Sequence, residues 1–220
     1  MRTIIISLDG NIGAGKSTLL NEIRDKIPEI NYVDEPVGAW TALKNAEGTN
    51  LLELFYGDKK RWAYTFQNCA ILTRLKNIQD AVNKLDSNKE EPHIILSERS
   101  VLTDKYVFAE MLRDSGDIDP LEWELYDSWF NMFSKQFPIN GIIYLSTSAT
   151  TAKDRIKIRN RHGEENINIE YLDALDKQHK KWIANTDIPT LTLSTEVGVS
   201  LDDNIQKIKD YVEQLKQLYK

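Results

Sequence analysis

Thr3-Ile4-Ile5-Ile6-Ser7-Leu8, then Gly10-Asn11-Ile12-Gly13-Ala14-Gly15-Lys16-Ser17, then Thr18-Leu19-Leu20-Asn21-Glu22-Ile23: these three pieces decide the fold. The first is a short apolar, β-branched run, the signature of a strand buried on both faces of a parallel sheet. The second fits G-x-x-x-x-G-K-[ST], a loop whose glycines let successive N–H groups turn inward on phosphate oxygens. The third opens an amphipathic helix whose N-terminus adds a partial positive charge at the same spot. Within this loop Lys16 is placed to reach the β- and γ-phosphates, and the Ser17 hydroxyl to ligate Mg²⁺. The pattern alone is permissive. Strand before and helix after make it specific, and the chain is expected to bind a nucleoside triphosphate through residues 10–18.

Working outward, strand-like runs recur at 30–34, 93–97, 141–145 and 189–193, with helical patterns at 16–27, 50–56, 59–85, 99–115, 120–136, 149–160, 168–185 and 201–218. Strands alternating with helices predict an α/β fold, a five-stranded parallel sheet covered on both faces. The 220 residues suffice for one such domain with a short lid. Ser87–Pro92 reads as a polar linker into the third strand rather than a domain boundary.

Composition narrows the class. A net charge of −6 argues against a surface that coats nucleic acid. The single Cys69 can form no internal disulfide, which suits a reducing compartment. No apolar run approaches the roughly 18 residues needed to span a bilayer. Met1-Arg2 leads directly into the first strand and leaves no room for a targeting segment. A cytoplasmic protein is expected.

Ligands of open parallel sheets sit beyond the carboxyl ends of the strands. The second predicted strand ends at Asp34-Glu35-Pro36 and the third at Glu98-Arg99-Ser100, with Asp104 one turn further on. Two acids beside a phosphate loop suit phosphoryl transfer: one can associate with Mg²⁺ and the other accept a proton from an attacking hydroxyl. The plainer alternative is that each acid caps a turn or helix. An Arg near Glu35 would keep that carboxylate ionised, and Arg99 is suited to clamp carboxylate and phosphoryl oxygens together. Arg155 and Arg159 share a helix face, Arg161 follows, and the pattern breaks at Gly163. This basic cluster, in a lid at about 155–168, reads either as a flap closing over phosphates or as a solvated helix face. In the aromatic stretch 56–74, Gln67 offers the paired donor and acceptor that a base edge requires, and Arg74 lies on the same helix face. His93, His162 and His179 show no metal-ligand spacing, and His179 falls on a polar helix face.

These blocks, in this order and spacing, resemble the deoxyribonucleoside kinases, in the subgroup that holds the deoxycytidine, deoxyguanosine, deoxyadenosine and mitochondrial thymidine kinases. The resemblance runs from about residue 4 to residue 183: Gly10-Asn11-Ile12-x-x-Gly15-Lys16-Ser17-Thr18, Asp34-Glu35-Pro36-Val37-x-x-Trp40, Phe66-Gln67, Glu98-Arg99-Ser100 and the Arg155/Arg159/Arg161 lid. It implies a P-loop kinase fold and transfer of the γ-phosphoryl of ATP to a deoxynucleoside 5′-hydroxyl. Glu35 would be the base and Arg99 its bridge to the phosphoryl group, with Ser17 and Glu98 associated with Mg²⁺. Gln67 would bond the base edge, while Trp40, Phe66 and Phe108 enclose the ring. Tyr56 and Glu164 would hold the sugar 3′-hydroxyl. Arg74 and Asp104 stand where members acting on deoxycytidine and deoxypurines carry this pair, which disfavours thymidine. Thr195–Gly198 would pass over the donor adenine without a residue-by-residue match. Members are commonly homodimers, and the aromatic-rich 120–136 helix is the candidate surface; no membrane or nucleic-acid polymer is implied as partner.

Two rivals share the opening motif. A deoxynucleoside monophosphate kinase needs a further cationic site, for which Arg99 and the lid arginines could serve. A nucleotide-dependent switch would use Asn83-Lys84-Leu85-Asp86, an N-K-x-D pattern, but this closes a helix rather than following a strand, and the chain has no D-x-x-G.

Overall fold

The computed structural model describes residues 2–86, 91–161, 163–164 and 167–219. Five parallel strands, β1 (Thr3–Gly10), β2 (Asn31–Val33), β3 (His93–Glu98), β4 (Gly141–Ser146) and β5 (Thr190–Ser194), lie in the order β2-β3-β1-β4-β5. The sheet is the expected one: five strands, all parallel, flanked by helices. β1 is central because its every residue from Ile4 onward is buried, which only a strand with neighbours on both edges and helices on both faces achieves.

Alternation along β1 sorts the faces. Ile4, Ile6 and Leu8 pack with Leu19, Leu20 and Ile23 of α1 (Lys16–Arg24), and with Ile205, Ile208 and Val212 of the C-terminal helix Leu201–Leu218. Ile5 turns the other way, onto Ile95 and Ile78.

Between β2 and β3 run three helices: α2 (Val37–Ala42), α3 (Leu51–Gly57) and the long α4 (Lys59–Val82). The sequence reading lacked α2. Asn50 opens α3 with a full capping box to Glu53. After β3 the chain does not enter a helix at 99, as the periodicity predicts. Arg99 adopts a left-handed backbone, φ 63°, and α5 (Val101–Thr103) begins beyond it. A π-helical turn follows over Asp104–Ala109, then α6 (Glu110–Asp114) and α7 (Pro120–Phe133). α8 (Ala149–Arg159), α9 (Ile169–Ala184) and α10 (Leu201–Leu218) complete the chain. Residues 87–90 of the polar linker, and His162, Glu165 and Asn166 of the lid, lie outside the described residues. No helix of the described residues is long and apolar enough to cross a membrane.

One histidine reading is corrected. His179 is fully buried on α9, not on a polar face. Its ring stacks on Tyr144 at 5.9 Å, meets Phe108 edge-on at 6.4 Å, and bonds the Leu175 carbonyl through Nδ1 at 2.7 Å. Burial lowers its pKa to about 3, so it is a neutral core residue.

Candidate active site

The carboxyl ends of β1, β2 and β3 and the C-terminal half of α8 open onto one cleft of about 740 Å³. The loop after β1 forms its floor. Gly13 takes φ 79°, and a Cβ there would stand 2.4 Å from the Ala152 carbonyl oxygen, so α8 can press on the loop only because position 13 is glycine. Gly15, at φ 90°, precedes α1 with no side-chain cap, leaving the first N–H groups of that helix open to an anion. Lys16 is buried and donates to the Gly10 and Asn11 carbonyls at 3.0 and 2.8 Å. Burial, with Arg99 nearby, lowers its pKa to about 7. Gly10 and Asn11 themselves do not line the cleft. Asn11 ties the loop to α9 by donating to the Leu172 carbonyl at 2.9 Å.

The two strand-end acids take different surroundings. Glu98 accepts from the Ser17 hydroxyl at 3.0 Å. Glu35 is gripped by Arg99 Nη1, with Arg74 Nη2 at 3.6 Å. Burial by itself would raise the Glu35 pKa, but the charges of Arg99, Arg74 and Lys16 outweigh it and bring it down to about 2. The left-handed backbone at Arg99 aims this guanidinium back across the cleft, 5.0 Å over the Phe108 ring. A non-glycine residue held there costs about 1–3 kcal/mol, which the surrounding ion pairs must offset.

Deeper in, Arg74 and Asp104 form a buried bidentate pair at 2.8 and 3.1 Å, and Arg74 also donates to the Glu98 carbonyl at 2.6 Å. Burial raises the Asp104 pKa, opposed by Arg74. Gln67 is 1% exposed, lines the cleft, and its Oε1 has no hydrogen-bond partner among the described residues. A buried, unsatisfied amide oxygen facing a cavity is a group awaiting a donor. Trp40 and Phe66 meet edge-on at 5.2 Å, and Tyr56, Gln67 and Phe108 complete the wall.

At the mouth, Glu164, 3% exposed, receives Arg159 at 2.5 Å and Arg161 at 3.2 Å. Arg155 donates to the Thr195 carbonyl at 2.5 Å, and the Thr195 hydroxyl to the Ala14 carbonyl at 2.9 Å, docking the segment after β5 against the phosphate loop. Residues 195–199 form that side of the cleft.

The cleft therefore gathers Ile12 to Thr18, Glu35, Trp40, Tyr56, Phe66, Gln67, Arg74, Glu98, Arg99, Asp104, Phe108 and the lid's Arg155, Arg159, Arg161 and Glu164. Sequence reasoning missed Leu52, Phe55 and Ala70, which also line it. A signal existed for two of them: the capping box at Asn50 puts Leu52, Phe55 and Tyr56 at i, i+3 and i+4 on one face. Phe55 stacks on Phe66 at 4.5 Å.

A family profile described as deoxynucleoside kinase matches residues 6–220. The chain is 39% identical to a probable deoxycytidine kinase of fowlpox virus, over 96% of this chain and 88% of that protein. It is 32% identical to the deoxycytidine kinase of Bos taurus, over 96% and 91%, and 32% identical to the mitochondrial deoxyguanosine kinase of Xenopus laevis, over 87% and 81%. With a phosphate loop, two strand-end acids and an arginine lid converging on one cleft, this chain belongs to the deoxynucleoside kinase family and is a phosphotransferase.

Proposed function

We propose that the chain transfers the γ-phosphoryl of ATP to the 5′-hydroxyl of deoxycytidine, deoxyadenosine or deoxyguanosine, in preference to thymidine. The observation that carries this reading is Glu35: a carboxylate kept ionised by two arginines on the wall of the cleft whose floor is the phosphate loop. In the reaction, the 5′-oxygen bonds to the γ-phosphorus as the bond from that phosphorus to the β–γ bridging oxygen breaks. The hydroxyl proton passes to Glu35. A base with a pKa near 2 takes a proton late, once phosphoryl transfer has made the hydroxyl strongly acidic. That timing suits a loose transition state, in which alignment and charge stabilisation matter more than early deprotonation. Arg99 bridges the base to the transferring group. Lys16, Arg155, Arg159 and Arg161 take up charge that develops on the leaving diphosphate.

Ser17 Oγ and Glu98 Oε1, 3.0 Å apart, are a pair of hard oxygens of the kind Mg²⁺ takes when phosphates and water complete its shell. They would hold it, and it would neutralise the β- and γ-phosphate oxygens.

The acceptor base fits between Phe66 and Phe108, with Gln67 on its edge. Arg74–Asp104 fills the space that a thymine methyl needs, which supports the preference, as do relatives named for deoxycytidine and deoxyguanosine. Tyr56 and Glu164, both in the cleft lining, hold the sugar 3′-hydroxyl in this reading. The donor adenine fits at the mouth, between Ile158 and the 195–199 segment. A monophosphate acceptor would need a further cation for its own phosphate, and the arginines lining the cleft are already assigned to the base pocket, the transferring group and the leaving diphosphate. On α7, Leu121, Leu125, Trp129 and Met132 form one exposed stripe at helical spacing, 40–80% accessible, suited to a second copy in a homodimer. A single domain working in the cytoplasm completes the reading.

An assay of phosphate transfer from ATP across the four deoxynucleosides and their monophosphates tests it. Turnover is expected with the three named nucleosides. Preference for thymidine, or for any monophosphate, would refute the assignment.

A further inference from the structure

The helix that carries Asp104 and Phe108 into the cleft is not regular. Across the π-helical turn Asp104–Ala109, the Glu110 N–H bonds the Lys105 carbonyl, five residues back, rather than that of Tyr106. The Tyr106 carbonyl thereby loses the partner a regular α-helix would give it. A partly buried carbonyl left so is costly. Gln178 of α9 supplies the replacement: its Nε2 donates to the Tyr106 oxygen at 2.9 Å and to Glu110 Oε2 at 3.2 Å. One amide thus spans the turn and the start of the next helix.

The other sides of the turn are clamped as well. Lys105, nearly buried, pairs with Asp127 of α7 and lies 4.0 Å over the Trp123 ring. Asp104 is held by Arg74 of α4. Of these anchors, Gln178 alone acts on the backbone feature that distinguishes the turn from ordinary helix, and it touches no residue of the phosphate loop among the contacts described.

We infer that Gln178 is a positioning residue for the acceptor base: by taking up the carbonyl that the π turn releases, it fixes the wide turn that sets Asp104 against Arg74 and Phe108 against the base. The inference rests on the assignment of Asp104 and Phe108 to the acceptor base.

Gln178→Met keeps the side chain's length and removes the donor. The Michaelis constant for deoxycytidine should rise about five- to tenfold, the effect of one lost hydrogen bond to a partly buried group. That for ATP should stay within about twofold. Gln178→Lys, which can donate to both the carbonyl and Glu110, should restore most of the loss. A merely structural role would lower the melting temperature without separating the two constants. An unchanged deoxycytidine constant, an equal rise in both constants, or a Gln178→Lys variant no better than Gln178→Met overturns the inference. Gln178→Ala is read in the same way should the Met variant not fold. Asp104→Asn, assayed alongside, separates the two levels. If it alters discrimination between deoxycytidine and thymidine while Gln178→Met does not, this inference fails and the base site stands. If neither variant alters it, the base site itself is wrong.

Discussion

Replacing Glu35 by Gln isolates the charge on which the proposed chemistry turns. The shape, and an oxygen acceptor for Arg99, remain; the negative charge does not. Because Gln approximates the protonated acid, the structural cost follows from the depressed pKa. A drop from 4.5 to about 2 corresponds to about 3 kcal/mol of native-state stabilisation at neutral pH. For a chain of this size that is about 6–12 °C in Tm. The group's pKa is lower in the folded state, so this contribution is complete above pH 4.5 and is lost as pH falls toward 2. Catalysis should suffer separately: removing a general base lowers kcat by about 10²- to 10⁴-fold, while the Michaelis constants for nucleoside and ATP shift little. Steady-state kinetics with saturating ATP, beside thermal melts at pH 7 and pH 4, measure both effects. Near-normal kcat would refute Glu35 as the base. An unchanged Tm at pH 7 would refute the two-arginine grip as the source of its ionisation.

Gly13→Ala should abolish ATP binding, measured by titration calorimetry, because its Cβ would fall 2.4 Å from a backbone oxygen of α8 at a left-handed φ. Glu164→Gln leaves Arg159 and Arg161 without their carboxylate. The Michaelis constant for deoxynucleoside should rise about tenfold, whereas the 3′-deoxy analogue should bind wild type and variant alike. His179 is buried neutral with its pKa lowered from 6.5 to about 3. Its stabilisation is complete above pH 6.5 and falls below it, amounting to about 2 kcal/mol lost by pH 5. His179→Phe should flatten the Tm-versus-pH curve between pH 7 and 5. Leu125→Glu, on the exposed stripe of α7, should give monomers by light scattering at micromolar concentration if that face joins two copies.

Periodicity and short-range signals carried the sheet. The β-branched runs made buried strands, and helical spacing between them required parallel crossovers, so five strands were legible before any coordinates. The phosphate loop was legible for the same reason: its chemistry is backbone chemistry within eight consecutive residues. Positions in the cleft that came from resemblance, such as Asp104 with Arg74, are separated by 30 residues and are joined by a bidentate contact no local pattern encodes.

The errors have equally physical causes. His179 has polar neighbours in sequence, yet α9 turns it onto Tyr144 and Phe108, so its burial depends on β4 and the π turn. Helical periodicity ran through residue 99 because an αL residue and a six-residue π turn each shift the phase without changing composition. By itself, the sequence determined the parallel sheet, the phosphate loop and the acids at its strand ends, since each follows from neighbours within a turn or a strand. Only the tertiary structure decided that two arginines grip Glu35 and that Gln178 of α9 reaches the Tyr106 carbonyl in the π turn. Those contacts join α4, α9 and the segments after β2 and β3, and charges that meet across such distances are brought together by the packing of the sheet and its helices, not by local preference.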